Sequence, residues 1–332
     1  MKKVILMFAL LAPAARAQKH GFNFVAPSIT GRIVLPVTGA DWSTRDLKLY
    51  DEGTRPVIFF VDQKSGLDLS VILFSNDTGK STAESCRDAL VPSLAKHMKQ
   101  SASLENERYE TLTAANGAIL AIGSYLIAKE GNVPVRQQNE FGFLASASTC
   151  AEIHLSKVSF KPEDQKLFDT VLSQFTFDAE YKPALQDYVI LGVAFYRNAK
   201  NFPAAALYYQ RAFDLLPASE YKTTTGRYLS DQLTLSYGMA GDVKRSRAIA
   251  ETAISRDPTY PLYYYNLACA DAESGDALSA RTHLQQAFDR RTNTLEGESF
   301  PDPASDDSIR KLKSNRDFWA FVQNLSQQLK KT

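Results

Sequence analysis

The chain has 332 residues, with 38 Lys and Arg against 37 Asp and Glu and 44% apolar residues. A nearly neutral chain without a basic block lacks the electrostatic footprint of a nucleic-acid binder, and its ordinary apolar content excludes wholesale disorder. The length suits two domains.

The first residues read as an export signal. Lys2 and Lys3 precede an apolar run from Val4 to Ala12, and Pro13 ends it. Ala15-Arg16-Ala17 then offers small residues at the two positions a signal peptidase reads. The run is shorter than the ~20 apolar residues needed to cross a bilayer. No Cys follows that could carry a lipid anchor. Residues 1–17 are therefore expected to be removed after Ala17, leaving a periplasmic or secreted chain with no membrane span. The longest later apolar stretch, Ala118 to Ala128, is interrupted by Gly123, Ser124 and Tyr125 and fits a strand. An oxidising compartment permits disulfides. Cys86 and Cys150 both fall in the N-terminal half and are expected to pair, while Cys269 stands in a helical repeat and is expected to be free.

Up to about residue 180, period-2 alternation and short apolar runs predict strands. Val57–Asp62 and Leu69–Ser75 form a hairpin across Gln63-Lys64-Ser65-Gly66. Residues 81–100 read as a helix capped by Ser81 or Thr82, with Leu90, Leu94 and Met98 at helical spacing. Strands are expected again at Arg108–Thr113, Ile119–Ala128 and Phe141–Leu155, with Asn116-Gly117 turning between the first two. A last helix runs from Pro162 to about Phe175. The fold class is α+β: an antiparallel sheet with flanking helices over 18–180, then an all-α array over 184–330. Trp42 before the hairpin, the hairpin-then-helix order and the closing stretch Glu163 to Phe177 resemble the PsbP-like α/β/α sandwich proteins. That resemblance implies a small binding or assembly domain without catalytic residues.

Beyond residue 183 a repeat emerges. Gly241-Asp242 recurs as Gly275-Asp276 and Ala253 as Ala287, a shift of 34 residues. An earlier copy fits with one extra turn residue: Tyr188, Leu191, Gly192 and Phe195, then Ala205, Tyr209, Ala212 and Pro217. The second copy carries Thr234 and Ser246 where Gly and Ala are usual. The period and the small-residue landmarks resemble tetratricopeptide (TPR) repeats, three helix pairs in all. Phe318, Trp319, Val322 and Leu325 form the stripe of a terminal capping helix.

Residues carrying chemistry are sparse. Asn76 to Thr82 follows a strand and precedes a helix, but Phe74 stands where a phosphate-binding loop needs its first Gly. Cys150, Glu152 and His154 share one strand face, yet parallel side chains do not converge on one atom, and a metal wants about four ligands. No enzymatic activity, cofactor or metal is expected.

The TPR resemblance implies a concave face lined by the first helix of each repeat. Val189, Val193, Tyr196 and Arg197 occupy the groove positions of copy one. Asp231, Leu235 and Met239 occupy those of copy two, and Tyr265, Cys269 and Glu273 those of copy three. This aromatic and apolar lining suits a protein or peptide segment. The alternative is a groove filled by the protein's own N-terminal domain or final helix. The expected function is an exported, non-enzymatic scaffold or adaptor of the bacterial envelope. An enzyme or small-ligand carrier, with its site in the N-terminal domain and the repeats selecting partners, is the second possibility.

Overall fold

The computed structural model describes residues 22–35, 42–50, 55–75 and 81–330. The leader with its cleavage site, and Asn76 to Lys80 of the phosphate-loop pattern, lie outside the described residues. The chain forms two compact units, one ending at Asp187 and one starting at Tyr188.

The first unit holds a seven-stranded antiparallel sheet. Its strands are β3 (Trp42–Tyr50), β4 (Arg55–Asp62), β5 (Leu67–Ser75), β6 (Ala102–Thr113), β7 (Ile119–Glu130), β8 (Val133–Ser146) and β9 (Thr149–Lys157). Their order across the sheet is β3-β4-β5-β9-β8-β7-β6. A smaller sheet joins β1 (Phe22–Ala26), β2 (Ile29–Leu35) and β10 (Thr176–Asp178). Turn chemistry sets the hairpins. Gly66 (φ 71°) and Gly117 (φ 84°) adopt the left-handed conformation that favours glycine. Asp62 accepts hydrogen bonds from the Lys64 and Ser65 amides across the β4–β5 turn. The run Phe141–Leu155, expected as one strand, is instead the hairpin of β8 and β9, pivoting at Ala147 with φ 50°. No Gly or Pro marks that pivot.

Helix α1 (Ala83–Met98) covers one face of this sheet, over β6, β7 and β8. Thr82 caps it, accepting from the Ser85 amide, while the Ser85 hydroxyl oxygen accepts from the Thr82 amide. Val91 sits so close to Gly123 that an added Cβ would lie 3.0 Å from its methyl carbon. Helix α2 (Gln165–Ser173) and the small sheet cover the opposite face. There Leu172 would come 2.8 Å from a Cβ at Gly142. Leu67, Leu69, Val71 and Leu73 of β5 are all buried on this side. Cys86 of α1 and Cys150 of β9 form a disulfide, and Cys269 is a free thiol, as the sequence predicts.

The second unit is three helix pairs and a cap: α3 (Leu185–Val193) and α4 (Phe202–Asp214), α5 (Thr224–Met239) and α6 (Val243–Arg256), α7 (Pro261–Glu273) and α8 (Ala277–Asp289). Asn201, Asp242 and Asp276 cap the second helix of each pair, each accepting from the amide three residues on. Lys200, Gly241 and Gly275 precede them with positive φ. Four and eleven residues past each cap stand small buried residues: Ala205 and Ala212, Ser246 and Ala253, Ala280 and Ala287. The two departures in copy two satisfy one another, since the Ser246 hydroxyl donates to the Thr234 carbonyl at 3.0 Å. The extra residue of copy one does not sit in a turn. It is absorbed in a π-helical segment, Ala194–Asn198, where the Ala199 amide bonds to the Ala194 carbonyl five residues back. The chain ends with a short helix α9 (Asp307–Arg310) and with α10 (Arg316–Leu329), which packs on α8 through buried Phe318, Val322 and Leu325.

Candidate functional surface on the repeat array

The first helices α3, α5 and α7, with the π-helical extension of α3, carry every residue assigned to the groove. Counted back from the three caps, with one residue allowed for the extra residue of copy one, Val189, Asp231 and Tyr265 are equivalent. So are Val193, Leu235 and Cys269, and likewise Arg197, Met239 and Glu273. The three copies use these equivalent positions in different ways.

In copy three they are occupied from within. The segment 294–313 crosses α7 as a strap. The Tyr265 hydroxyl donates to Asp306 at 3.2 Å, and the Cys269 thiol contacts the same carboxylate at 3.8 Å. Lys311 pairs with Glu273. Phe300 meets the Tyr265 ring edge-on at 5.7 Å and the Phe288 ring at 6.2 Å. The Tyr260 hydroxyl donates to Glu298 at 2.8 Å. Tyr265 is 3% exposed, so it acts as packing rather than as accessible surface. Burial, and then the Asp306 carboxylate, holds the Cys269 thiol well above the usual thiol range, so it is a poor nucleophile.

In copy two the set is mixed. Asp231 is buried and accepts from Asn266 Nδ2 at 2.8 Å and Gln232 Nε2 at 3.1 Å, tying α5 to α7. Burial pushes its carboxyl up to about 7, against the two amide hydrogen bonds. Leu235 is half-buried and Met239 is 57% exposed. In copy one Val189, Val193, Tyr196 and Arg197 are all half-buried. Tyr196 and Arg197 lie in the π-helical segment, and the Tyr196 ring stands edge-on to Phe202 at 5.3 Å. Burial and the charge of Asp231 raise the Tyr196 hydroxyl above the phenol range, so it stays a neutral hydrogen-bonding group. Sequence reasoning misses Tyr228, half-buried on α5, whose hydroxyl feels both Arg197 and Asp231.

In the sheet unit, the face that carries Cys150, Glu152 and His154 resolves into three separate environments. Cys150 is consumed by its disulfide. Glu152 is buried beside Phe143, and burial raises its carboxyl to about 7 while Arg55 opposes the shift. His154 stacks on Phe141 with ring centroids 4.1 Å apart and hydrogen-bonds Asn139 Oδ1 at 3.2 Å. Burial drops its pKa to about 4, so the imidazole is neutral at pH 7. Among the described residues no three His, Cys, Asp or Glu side chains could hold a metal together. No helix there is long and apolar enough to cross a membrane.

No family profile matches the sequence, and no curated protein matches it either. Solved structures do. The chain is similar to the cyanobacterial PsbP of Synechocystis sp. PCC 6803, at 18% identity over 46% of this chain and 90% of that one, with a TM-score of 0.35. It is similar to the Sgt2 TPR domain of Aspergillus fumigatus, at 19% identity over 43% and 83%, with a TM-score of 0.32. A crystal structure from Bacteroides thetaiotaomicron aligns at 10% identity over 66% and 77%, with a TM-score of 0.27. The chain thus resembles PsbP and TPR structures, as its sequence predicts.

Proposed function

We propose that the protein is an exported, non-enzymatic adaptor that holds a segment of another envelope protein on the concave face of its first two repeats. The carrying observation is the contrast between copies. Copy three presents its groove positions to the chain's own strap, whereas copies one and two keep Val189, Val193, Tyr196, Arg197, Leu235 and Met239 at least partly exposed. A half-exposed row of apolar and aromatic side chains on rigid helices suits an extended or helical peptide. The disulfide supports an oxidising compartment. The loss of Cys150 to that bond supports a non-catalytic sheet unit, because it removes the nucleophile from the one strand face with candidate chemistry.

The test is a comparison of variants. Tyr196→Ala with Leu235→Ala should cost partner capture at least about 2 kcal/mol while leaving the melting temperature nearly unchanged. Tyr265→Ala should instead destabilise the array by roughly 3 kcal/mol, because it empties a packed site under the strap. Capture by the Tyr196/Leu235 double variant as strong as the parent's would remove the groove from consideration.

A further inference from the structure

We propose that the segment bound on this face is a basic one: apolar residues along copies one and two, followed by Lys or Arg where the face meets the strap. This rests on the groove reading above. The strap closes the face at copy three and brings carboxylates with it. Asp306 lies against Tyr265 and Cys269 at 3.2 and 3.8 Å, Asp302 precedes it by four residues in the strap, Glu273 is itself a groove position, and Glu298 accepts from the Tyr260 hydroxyl at 2.8 Å. Lys311 pairs with Glu273 there, and Arg197 occupies the equivalent groove position of copy one.

These carboxylates are fixed by structural hydrogen bonds. Asp306 caps α9 at the Ser308 and Ile309 amides. Glu298 accepts from the Tyr260 hydroxyl and the Leu295 amide. Asp302 accepts from the Ala304 amide. A preorganised negative rim needs no side-chain ordering when a ligand arrives, and it repels acidic segments as strongly as it attracts basic ones. The apolar stretch beside it, Val193, Leu235 and Met239, would hold the neighbouring ligand residues.

The full mature chain can be tested with a display library of short randomised peptides, counter-selected on the Tyr196→Ala/Leu235→Ala variant. Groove-dependent peptides should be rich in Lys or Arg next to apolar residues. A labelled peptide chosen from them should bind more weakly as salt rises. Neutralising the rim with Glu273→Gln and Asp302→Asn, which keeps both side-chain shapes, should weaken it about tenfold. If that variant folds poorly, the salt dependence of the parent separates the same two outcomes. Groove-dependent peptides that are neutral or acidic, or an affinity indifferent to salt, overturn the basic-segment proposal and leave the groove reading standing. A library with no groove-dependent peptide overturns both.

Discussion

At the scale of single residues, Asp231 is the most informative group in the array. It is buried, it joins two repeats, and its carboxyl is raised to about 7. A folded pKa above the unfolded value of about 3.9 means that the folded chain binds the proton more tightly. The stabilising contribution is fully present below about pH 4 and is lost as pH rises through about 7. The array should therefore be less stable at pH 8 than at pH 5, by on the order of 2–4 kcal/mol from this group, and melt at lower temperature there. Asp231→Asn removes the titration, so the melting temperature of the variant minus that of the parent should grow between pH 5 and pH 8. A difference that stays flat across that range would sink the assignment. Asp231 is readable in the sequence as a groove position, but its burial is not. Its partner Asn266, and Glu298, whose charge raises its pKa further after burial itself, stand 35 and 67 residues further along the chain.

At the scale of elements, the sequence is readable wherever a local rule repeats. The caps and positive-φ residues of Gly241-Asp242 and Gly275-Asp276 recur because each pair must turn in the same way. Strands fail to show where both faces are wet. Most of β6 is exposed along its length, so it lacks the alternation that marks a half-buried strand, and only its end is legible. The strap is hidden for a related reason: residues 294–306 have no period, and their partners lie some 37 to 41 residues back, at Tyr260 and on α7. The extra residue of copy one is legible as a count but not as a conformation. Because the π-helical segment takes it up, Leu191, Gly192 and Phe195 keep their buried places against α4, where the Gly192 backbone lies against the Tyr209 ring. Deleting exposed Asn198 should convert the segment to regular helix and cost less than about 1 kcal/mol in stability. It should also swing Tyr196 and Arg197 to new positions and weaken peptide binding. Unfolding of copy one on deletion would show that the π turn is required for packing and does not only present those two side chains.

At the scale of the molecule, each unit has its own core, and the groove residues belong to one unit and the disulfide to the other. The sheet unit closes on itself through Arg32, which stacks on Tyr181 at 4.0 Å and pairs with Asp178, and through the Tyr181 hydroxyl, which donates to Asp187, the last residue of the unit, at 2.6 Å. Two fragments cut at that boundary, 18–187 and 188–332, should therefore fold separately, each melting close to its own transition in the full chain. The bond between Cys86 and Cys150 spans 64 residues, which in the chain-entropy model is worth about 4 kcal/mol. A thiol reductant should accordingly lower the melting temperature of the first fragment by on the order of 10 °C and leave the second unmoved. On the proposed adaptor reading, protein recovered from the native host should have an intact mass matching a chain beginning at Gln18, with two cysteines bonded and Cys269 labelling only after unfolding. In the full chain, reductant that shifts the array's transition as much as the sheet's would mean that the units are energetically one. A cytoplasmic product that keeps Met1 and leaves Cys86 and Cys150 as free thiols would remove both export and the oxidised sheet from the account.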